Sequence, residues 1–130
     1  MNNWATEFVE KNCRSVPWGS RSSWHGSLLS HDGTDTKDIT EADIDDGPEQ
    51  EIGWYANGVN AWDGDCAVVL RLKDGRWMAY ESSWGPTGSG FSEDAYGGDA
   101  DLVFAASKDN AVKFGISEAK RPALRWEKRS

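Results

Sequence analysis

Two neighbouring segments decide the fold: Cys66-Ala-Val-Val-Leu-Arg-Leu72 and Arg76-Trp-Met-Ala-Tyr-Glu-Ser82. Apolar residues alternate in both segments, and Asp74-Gly75 lies between them. An Asp-Gly pair between two alternating segments is a strong β-hairpin signal. The sequence therefore predicts a hairpin formed by residues 65–72 and 76–82.

The length of the turn sets the register of this hairpin. A two-residue type I′ turn at Asp74-Gly75 requires a positive φ at Gly75. It makes Trp77 a buried neighbour of the turn and puts Glu81 on the apolar face of the first strand. The expected pairs on that face are Leu72 with Trp77, Leu70 with Ala79 and Val68 with Glu81; on the other face they are Val69 with Tyr80 and Arg71 with Met78.

Shorter signals predict the elements around the hairpin. Apolar residues four apart indicate an amphipathic N-terminal helix, and capping residues indicate C-terminal ones. The chain is therefore expected to be an α+β protein, with a small, mainly antiparallel sheet built on the hairpin 65–72/76–82, an N-terminal helix and short C-terminal helices. The predicted elements are a helix over 3–12 capped by Asn3, a turn near 40–45, strands at 51–56 and 102–105, a helix over 108–114 capped by Ser107 and stopped by a left-handed Gly115, and a turn limited by Pro122.

The length of 130 residues fits a single domain, predicted over residues 1–125. Residues 32–50 carry no sustained periodicity and are expected to form a long acidic loop, ordered or partly disordered. Residues 126–130 are expected to be a frayed tail. The chain is rich in tryptophan, with eight, so aromatic residues dominate its core or a binding surface.

The charge is unevenly distributed along the chain. The net charge is −8, and residues 32–51 contain nine acidic residues and one lysine. This balance argues against binding to nucleic acid, which needs dense Lys and Arg. It favours a protein partner, and a basic partner could be steered by Asp43, Asp45 and Asp46. Residues 108–130 reverse the pattern, with seven basic and three acidic residues.

Two further features bear on location. No apolar run exceeds five residues, which excludes a membrane-spanning helix. The first residues lack the basic and apolar regions of a secretory signal, so a cytoplasmic protein is expected. In that compartment Cys13 and Cys66 are expected to stay thiols, although their pairing is left open.

Candidate catalytic residues are few. His25, His31, Asp32 and Asp35 are near one another in sequence, but their spacing matches no established metal-ligand pattern. Acidic stretches in 32–47 do not fit a calcium-binding loop. Glu81 is interpreted as a carboxylate bonded to a loop amide, with a general base as the alternative. No metal, cofactor or catalytic centre is predicted.

A Gly-rich loop follows the hairpin over residues 84–100. No basic residue lies between 77 and 107 to bind a phosphate there, so a structural loop is favoured. Trp84, Phe91 and Tyr96 could still stack on the ring of a small ligand or nucleotide.

One resemblance spans residues 64–124. The order W-x-x-Y, T-G-x-G, a Gly-rich acidic loop, a strand and F-G-I-S-E-A-x-R is similar to small uncharacterised proteins of actinobacterial phages and their hosts. This implies a phage-type origin, in the host cytoplasm, and no assigned activity. The residues that carry it are Trp77, Tyr80, Thr87, Gly88, Gly90, Phe91, Phe114, Gly115, Ser117, Glu118, Ala119 and Arg121.

Three functions follow from these patterns. The first is a small phage-type accessory protein that binds and modulates a host or phage protein without catalysis, through the acidic segment and surface aromatics. The second is a small-ligand or nucleotide-binding module that uses the loop aromatics. The third is a hydrolase that uses His25, His31 or Glu81.

Overall fold

The computed structural model describes residues 3–13, 16–18, 26–59, 64–84, 86–87, 90–91 and 100–129. Six strands form one sheet in the order β1-β7-β4-β3-β2-β8, and all neighbours are antiparallel except β1 and β7. The predicted α+β class with a mainly antiparallel sheet is confirmed. The elements are α1 (Trp4–Cys13), β1 (Leu28–Ser30), β2 (Glu51–Asn57), β3 (Gly64–Arg71), β4 (Trp77–Trp84), β5 (Pro86–Thr87) paired with β6 (Gly90–Phe91), β7 (Leu102–Ala105), α2 (Lys108–Gly115) and β8 (Arg125–Lys128), with 3₁₀ turns at Glu41–Asp43 and Arg121–Ala123.

The hairpin is present, but its predicted register is wrong by one residue. The backbone N–H of Gly75 donates to the Leu72 carbonyl, and Gly75 has a φ of 95°. The connection is therefore a three-residue loop ending in a left-handed glycine, a common hairpin loop that also suits Asp-Gly. The observed pairs are Arg71 with Trp77, Leu70 with Met78, Val69 with Ala79, Val68 with Tyr80 and Ala67 with Glu81.

This shift moves every β4 side chain to the opposite face from the one predicted. Met78 and Tyr80 are buried beside Val68 and Leu70, whereas Trp77 is only half-buried. Glu81 lies on the other face, opposite Ala67. The predictions of a buried Trp77 and of Glu81 on the Val68 face are therefore wrong.

The first face of the sheet carries the larger core. Helix α1 packs on β2 and β3 over this face, and Asn3 caps it by accepting the backbone N–H of Thr6 at 3.0 Å. The ring of Trp18 meets the Tyr80 ring edge to face at 6.1 Å. The Trp18 indole donates to the hydroxyl of Thr6 at 3.3 Å. Buried aromatic side chains and α1 therefore cover this face together.

The acidic segment is built into the end of the sheet. Gln50 is fully buried, and its side-chain amide donates to the backbone carbonyls of Asp45 (2.7 Å) and Arg71 (2.8 Å). Its amide oxygen accepts the backbone N–H groups of Arg71 and Glu51. Ile44 forms a β-bridge with Leu72. The segment is thus joined to the sheet by these contacts, and it contains a 3₁₀ turn at Glu41–Asp43, within the range 40–45 predicted for a turn.

Helix α2 packs on the second face of the sheet, whereas α1 packs on the first. The helix packs on β3, β4 and β7, against small side chains that include Ala67, Ala79 and Ala105. A Cβ added at Gly115 would lie 2.5 Å from the Cβ of Ala79. Gly115 is therefore required for this close approach. The prediction that it ends the helix in a left-handed conformation is wrong, since it lies inside α2 without a positive φ.

The C-terminal residues form strand β8 rather than the predicted frayed tail. Arg125–Lys128 pairs with β2, where Trp126 lies opposite Gly53. The absence of a side chain at Gly53 makes room for the Trp126 ring, since a Cβ there would lie 2.7 Å from that ring. Residues 125–128 are therefore held on the sheet by strand pairing and by aromatic packing.

Candidate binding surfaces on either side of helix α2

Helix α2 covers only the middle of its face of the sheet, because it packs on β3, β4 and β7. Two concavities remain beside it. The one toward β8 has a volume of about 410 Å³ and is called the basic groove. The one toward β1 has a volume of about 360 Å³ and is called the acidic cleft. The basic groove is lined by Lys108, Asp109, Val112, Lys113, Arg121, Leu124 and Trp126.

The basic groove has an apolar floor. Trp126 is 38% exposed. Among the described residues, it is the one large hydrophobic side chain that is exposed. Leu124 and Val112 continue the apolar surface beside it. The ammonium of Lys108 lies 4.8 Å from the Trp126 ring centroid, a cation–π distance that orients the indole. The groove thus presents a fixed aromatic anchor.

The basic groove carries positive charges, and carboxylates of the described residues pair with only some of them. Lys108 is paired with Glu51 at 2.8 Å. Arg121 donates instead to two neutral acceptors, the carbonyls of Ile116 (2.9 Å) and Lys113 (2.7 Å), and so caps the end of α2. Among the described residues, no carboxylate forms an ion pair with Lys113 or Arg121. The ammonium of Lys113 lies 5.3 Å from the Phe114 ring centroid. A negatively charged ligand would therefore meet two cations that no described carboxylate neutralises.

The acidic cleft brings together two of the candidate catalytic residues, His31 and Glu81. The His31 ring lies against Phe114 of α2, with centroids 5.5 Å apart. Asp101 is the third ionisable side chain that lines the cleft, and one of its oxygens accepts the backbone N–H of Ser27 at 2.9 Å. The parallel pairing of β1 with β7 is what brings His31 near residues far away in sequence.

The Glu81 carboxylate holds a loop in place. One of its oxygens accepts both the backbone N–H (2.7 Å) and the hydroxyl (2.8 Å) of Ser117. The predicted structural role, a carboxylate bonded to a loop amide, is thereby confirmed. A general base needs a free oxygen aimed at a substrate, and only the second oxygen of Glu81 could serve.

Asp32 also has a structural role. Its carboxylate accepts the backbone N–H of Ala106 at 2.9 Å, the side-chain amide of Asn110 at 3.0 Å and the hydroxyl of Thr34. These hydrogen bonds, the one from Ala106 above all, hold the pKa of Asp32 well below its usual range. Asp32 therefore fastens the loop after β1 to the start of α2, and is not a free ligand for a metal.

Two of the three acidic residues predicted to bind a partner have partners inside the chain. Asp45 accepts the Nε–H of Arg71 at 2.9 Å and forms an ion pair with it. Asp43 accepts the backbone N–H of Thr40, which lowers the pKa of Asp43, and lies 3.4 Å from the ammonium of Lys37. Asp46 is half-buried. These contacts make the segment part of the scaffold.

The residues predicted to stack on a small ligand cannot be compared with the structure. Trp84 ends β4 and Phe91 lies in β6, but their side chains are outside the described residues. Tyr96 and His25 also lie outside the described residues. The stacking hypothesis and the role of His25 therefore stay predictions.

A buried polar cluster lies under α1. Cys13 and Cys66 are both buried thiols, and the hydrogen bond between them, together with burial, raises the pKa of Cys13. Burial also raises the pKa of Tyr80 well above its usual range. The Tyr80 hydroxyl has no hydrogen-bond partner among the described residues. Cys13 and Tyr80 are therefore neutral at neutral pH, and all three side chains are buried.

Comparisons with protein-family models, with curated proteins and with solved structures found no match. Within the described residues, no three His, Cys, Asp or Glu side chains are grouped so that they could hold a metal ion. In the same part of the chain, no helix is long and apolar enough to cross a membrane.

The sequence reasoning missed the residues of the basic groove. The sequence predicts a frayed tail at Trp126, a helix that contains Lys113 and a resemblance motif that contains Arg121, but it does not predict that these residues share a surface. The sequence Arg-Trp-Glu-Lys at 125–128 contains one apolar residue among charged ones, so it shows no alternation that would predict a strand.

Proposed function

We propose that this chain is a non-catalytic protein-binding protein whose contact surface is the basic groove between α2 and β8. The observation that carries the proposal is Trp126, exposed on an apolar floor between Lys113 and Arg121. Tryptophan and arginine are the residues most enriched at the energetic centres of protein interfaces. A groove with an apolar floor and a charged rim also matches the usual anatomy of such interfaces.

This proposal keeps the predicted class of function and changes the expected contact. The acidic segment is the weaker candidate, because Asp43 and Asp45 already bind Thr40, Lys37 and Arg71. A basic partner for Asp43, Asp45 and Asp46 stays a prediction. The resemblance to phage proteins supports a phage-type origin of this chain. A host or phage protein in the cytoplasm is therefore the expected partner.

A hydrolase is the second candidate, and one observation favours it. His31 and Glu81 line the same cleft although they are distant in sequence. A carboxylate and an imidazole at one cleft are the groups that acid–base hydrolysis uses. Against it, one Glu81 oxygen is bound to Ser117. If Glu81→Gln abolished the biological effect in a folded protein, the hydrolase would become the first candidate.

The test of the proposed function is a quantitative capture experiment. Wild-type protein and the variants Trp126→Ala, Lys113→Glu and Lys73→Glu are immobilised and exposed to a lysate of the cells that naturally make the protein. Lys73 is exposed in the hairpin loop, so Lys73→Glu is a matched charge reversal away from the groove. We expect a protein retained by wild type and by Lys73→Glu to be lost from Trp126→Ala and Lys113→Glu. Equal retention by all four would contradict the proposal.

A further inference from the structure

Strand β8 is an edge of the sheet. It is the last strand in the sheet order, and among the described residues it pairs with β2 alone. The backbone groups of its outer side therefore point away from the sheet. Such an edge is a template to which an extended segment of another chain can add as a new strand.

The basic groove lies directly beside this edge. Trp126 and Lys128 are two residues apart on β8, so they point to the same face, the one that carries α2. A strand added outside β8 would place alternate side chains next to Trp126 and Lys128. Main-chain hydrogen bonds and the Trp126 contact could then be made by one extended segment.

The charge of the basic groove and β8 favours a negatively charged segment. They carry five cations and two carboxylates in a protein of net charge −8, and Glu51 of the neighbouring strand pairs with one of the cations, Lys108. Opposite charges on neighbouring strands stabilise strand pairing, and like charges destabilise it. The cations are Lys108, Lys113, Arg121, Arg125 and Lys128, and the carboxylates are Asp109 and Glu127.

We propose that the partner of the basic groove binds through an extended acidic segment that adds to the free edge of β8 as a seventh strand. In this segment an apolar residue and an acidic residue lie two positions apart, so both point to the face of Trp126 and Lys128. This inference rests on the proposed function and specifies its partner. An apolar side chain of the segment packs on Trp126, and its carboxylates lie near Lys113, Arg121 and Lys128.

A second copy of this chain is the competing occupant of the same edge. Residues directly opposite each other in an antiparallel pair point to the same face, so two β8 strands could pair about Trp126, with Arg125 of each copy opposite Glu127 of the other. That pairing brings no β8 carboxylate to the face of Trp126 and Lys128, because Glu127 points to the other face. An acidic segment supplies carboxylates on that face.

The test uses a blocked synthetic glutamate–valine peptide with the repeat Val-Thr-Glu-Thr, which puts valine and glutamate on the same face of a strand. It is titrated into the 130-residue protein by calorimetry at low and at physiological salt. We expect the affinity to fall as salt rises. It should fall at least about tenfold in Trp126→Ala and also fall in Lys113→Glu. It should be unchanged in Lys73→Glu. A lysine–valine peptide should not bind. The same glutamate–valine peptide N-methylated at every residue should not bind either, because it cannot donate main-chain hydrogen bonds.

Several results would overturn the inference. Equal binding of the methylated peptide would exclude strand addition, and equal binding of the lysine–valine peptide would exclude selection by charge. A dimer in analytical ultracentrifugation that dissociates in Trp126→Ala would make a second copy the occupant. If the peptide does not bind but a protein is captured in a Trp126-dependent way, the acidic strand is refuted and the proposed function is supported. Peptide binding with capture that ignores Trp126 would refute the proposed function.

Discussion

The position of α2 depends on the absence of a side chain at Gly115, and this dependence can be measured. In Gly115→Ala the new methyl would lie 2.5 Å from the Cβ of Ala79 and 3.3 Å from that of Val103. Carbon atoms in contact lie about 3.5–4.0 Å apart, so the helix must move. Such overpacking costs about 1–3 kcal/mol, and the better helix propensity of alanine returns at most about 1 kcal/mol. We expect a net loss of about 1–2 kcal/mol of unfolding free energy.

A double-mutant cycle isolates this contact. Ala79→Gly removes the methyl that the new side chain would strike, so Gly115→Ala with Ala79→Gly should recover about 1–2 kcal/mol relative to the sum of the single variants. Ala67→Gly is the matched control, because Ala67 is buried in the same cluster but is not among the three nearest contacts of Gly115. Urea unfolding followed by circular dichroism measures all variants. Additive effects for Gly115 and Ala79 would refute the close approach of α2 to β4.

Three further predictions concern stability. Gln50→Ala should cost about 2–4 kcal/mol because it leaves buried backbone groups without partners, whereas the exposed Glu49→Ala should stay within about 0.5 kcal/mol; equal urea midpoints would contradict the anchoring of the acidic segment. Gly75→Val should cost about 1–3 kcal/mol because φ is 95° there, and Gly75→Asn, which tolerates this conformation, should cost less; a fully stable Gly75→Val would exclude the left-handed loop residue. Burial raises the pKa of Tyr80 and, with the hydrogen bond to Cys66, that of Cys13, so both groups stabilise the fold while neutral. Stability should therefore fall as the pH rises above roughly 9, where these groups ionise in the unfolded chain. Tyr80→Phe should be at least as stable at neutral pH and should lose less on the alkaline side; a steeper loss would contradict this account.

Local signals in the sequence were sufficient for most of the elements. The Ser107 cap predicts the start of α2, and the Ser107 hydroxyl accepts the Asn110 backbone N–H at 3.2 Å. The strand predicted at 102–105 is β7. The length of the hairpin loop could not be predicted, because Asp74-Gly75 suits both a two-residue and a three-residue loop. These loops differ by one residue in register, and that difference moved Glu81 to the other face.

Non-local pairing explains what the sequence could not predict about the candidate surfaces. Strand β8 exists because it pairs with β2, about seventy residues earlier, and its charged pattern gives no apolar alternation to reveal it. His31 and Glu81 meet at one cleft only because β1 pairs with β7. Neither relation leaves a signal within one short window of sequence. The cap of α2 is a signal within one short window, so the sequence predicts the helix but not the surfaces on either side of it.

Hydrogen–deuterium exchange of the protein with a captured partner tests the central claim most directly. The measurement compares amide exchange across the described residues in the free and bound protein. We predict that binding slows exchange in residues 108–113 and 125–128, which form one wall of the basic groove and its edge strand, and leaves residues 32–50 unchanged. Protection confined to residues 32–50, or to the acidic cleft around His31 and Asp101, would contradict the assignment of the basic groove as the binding surface.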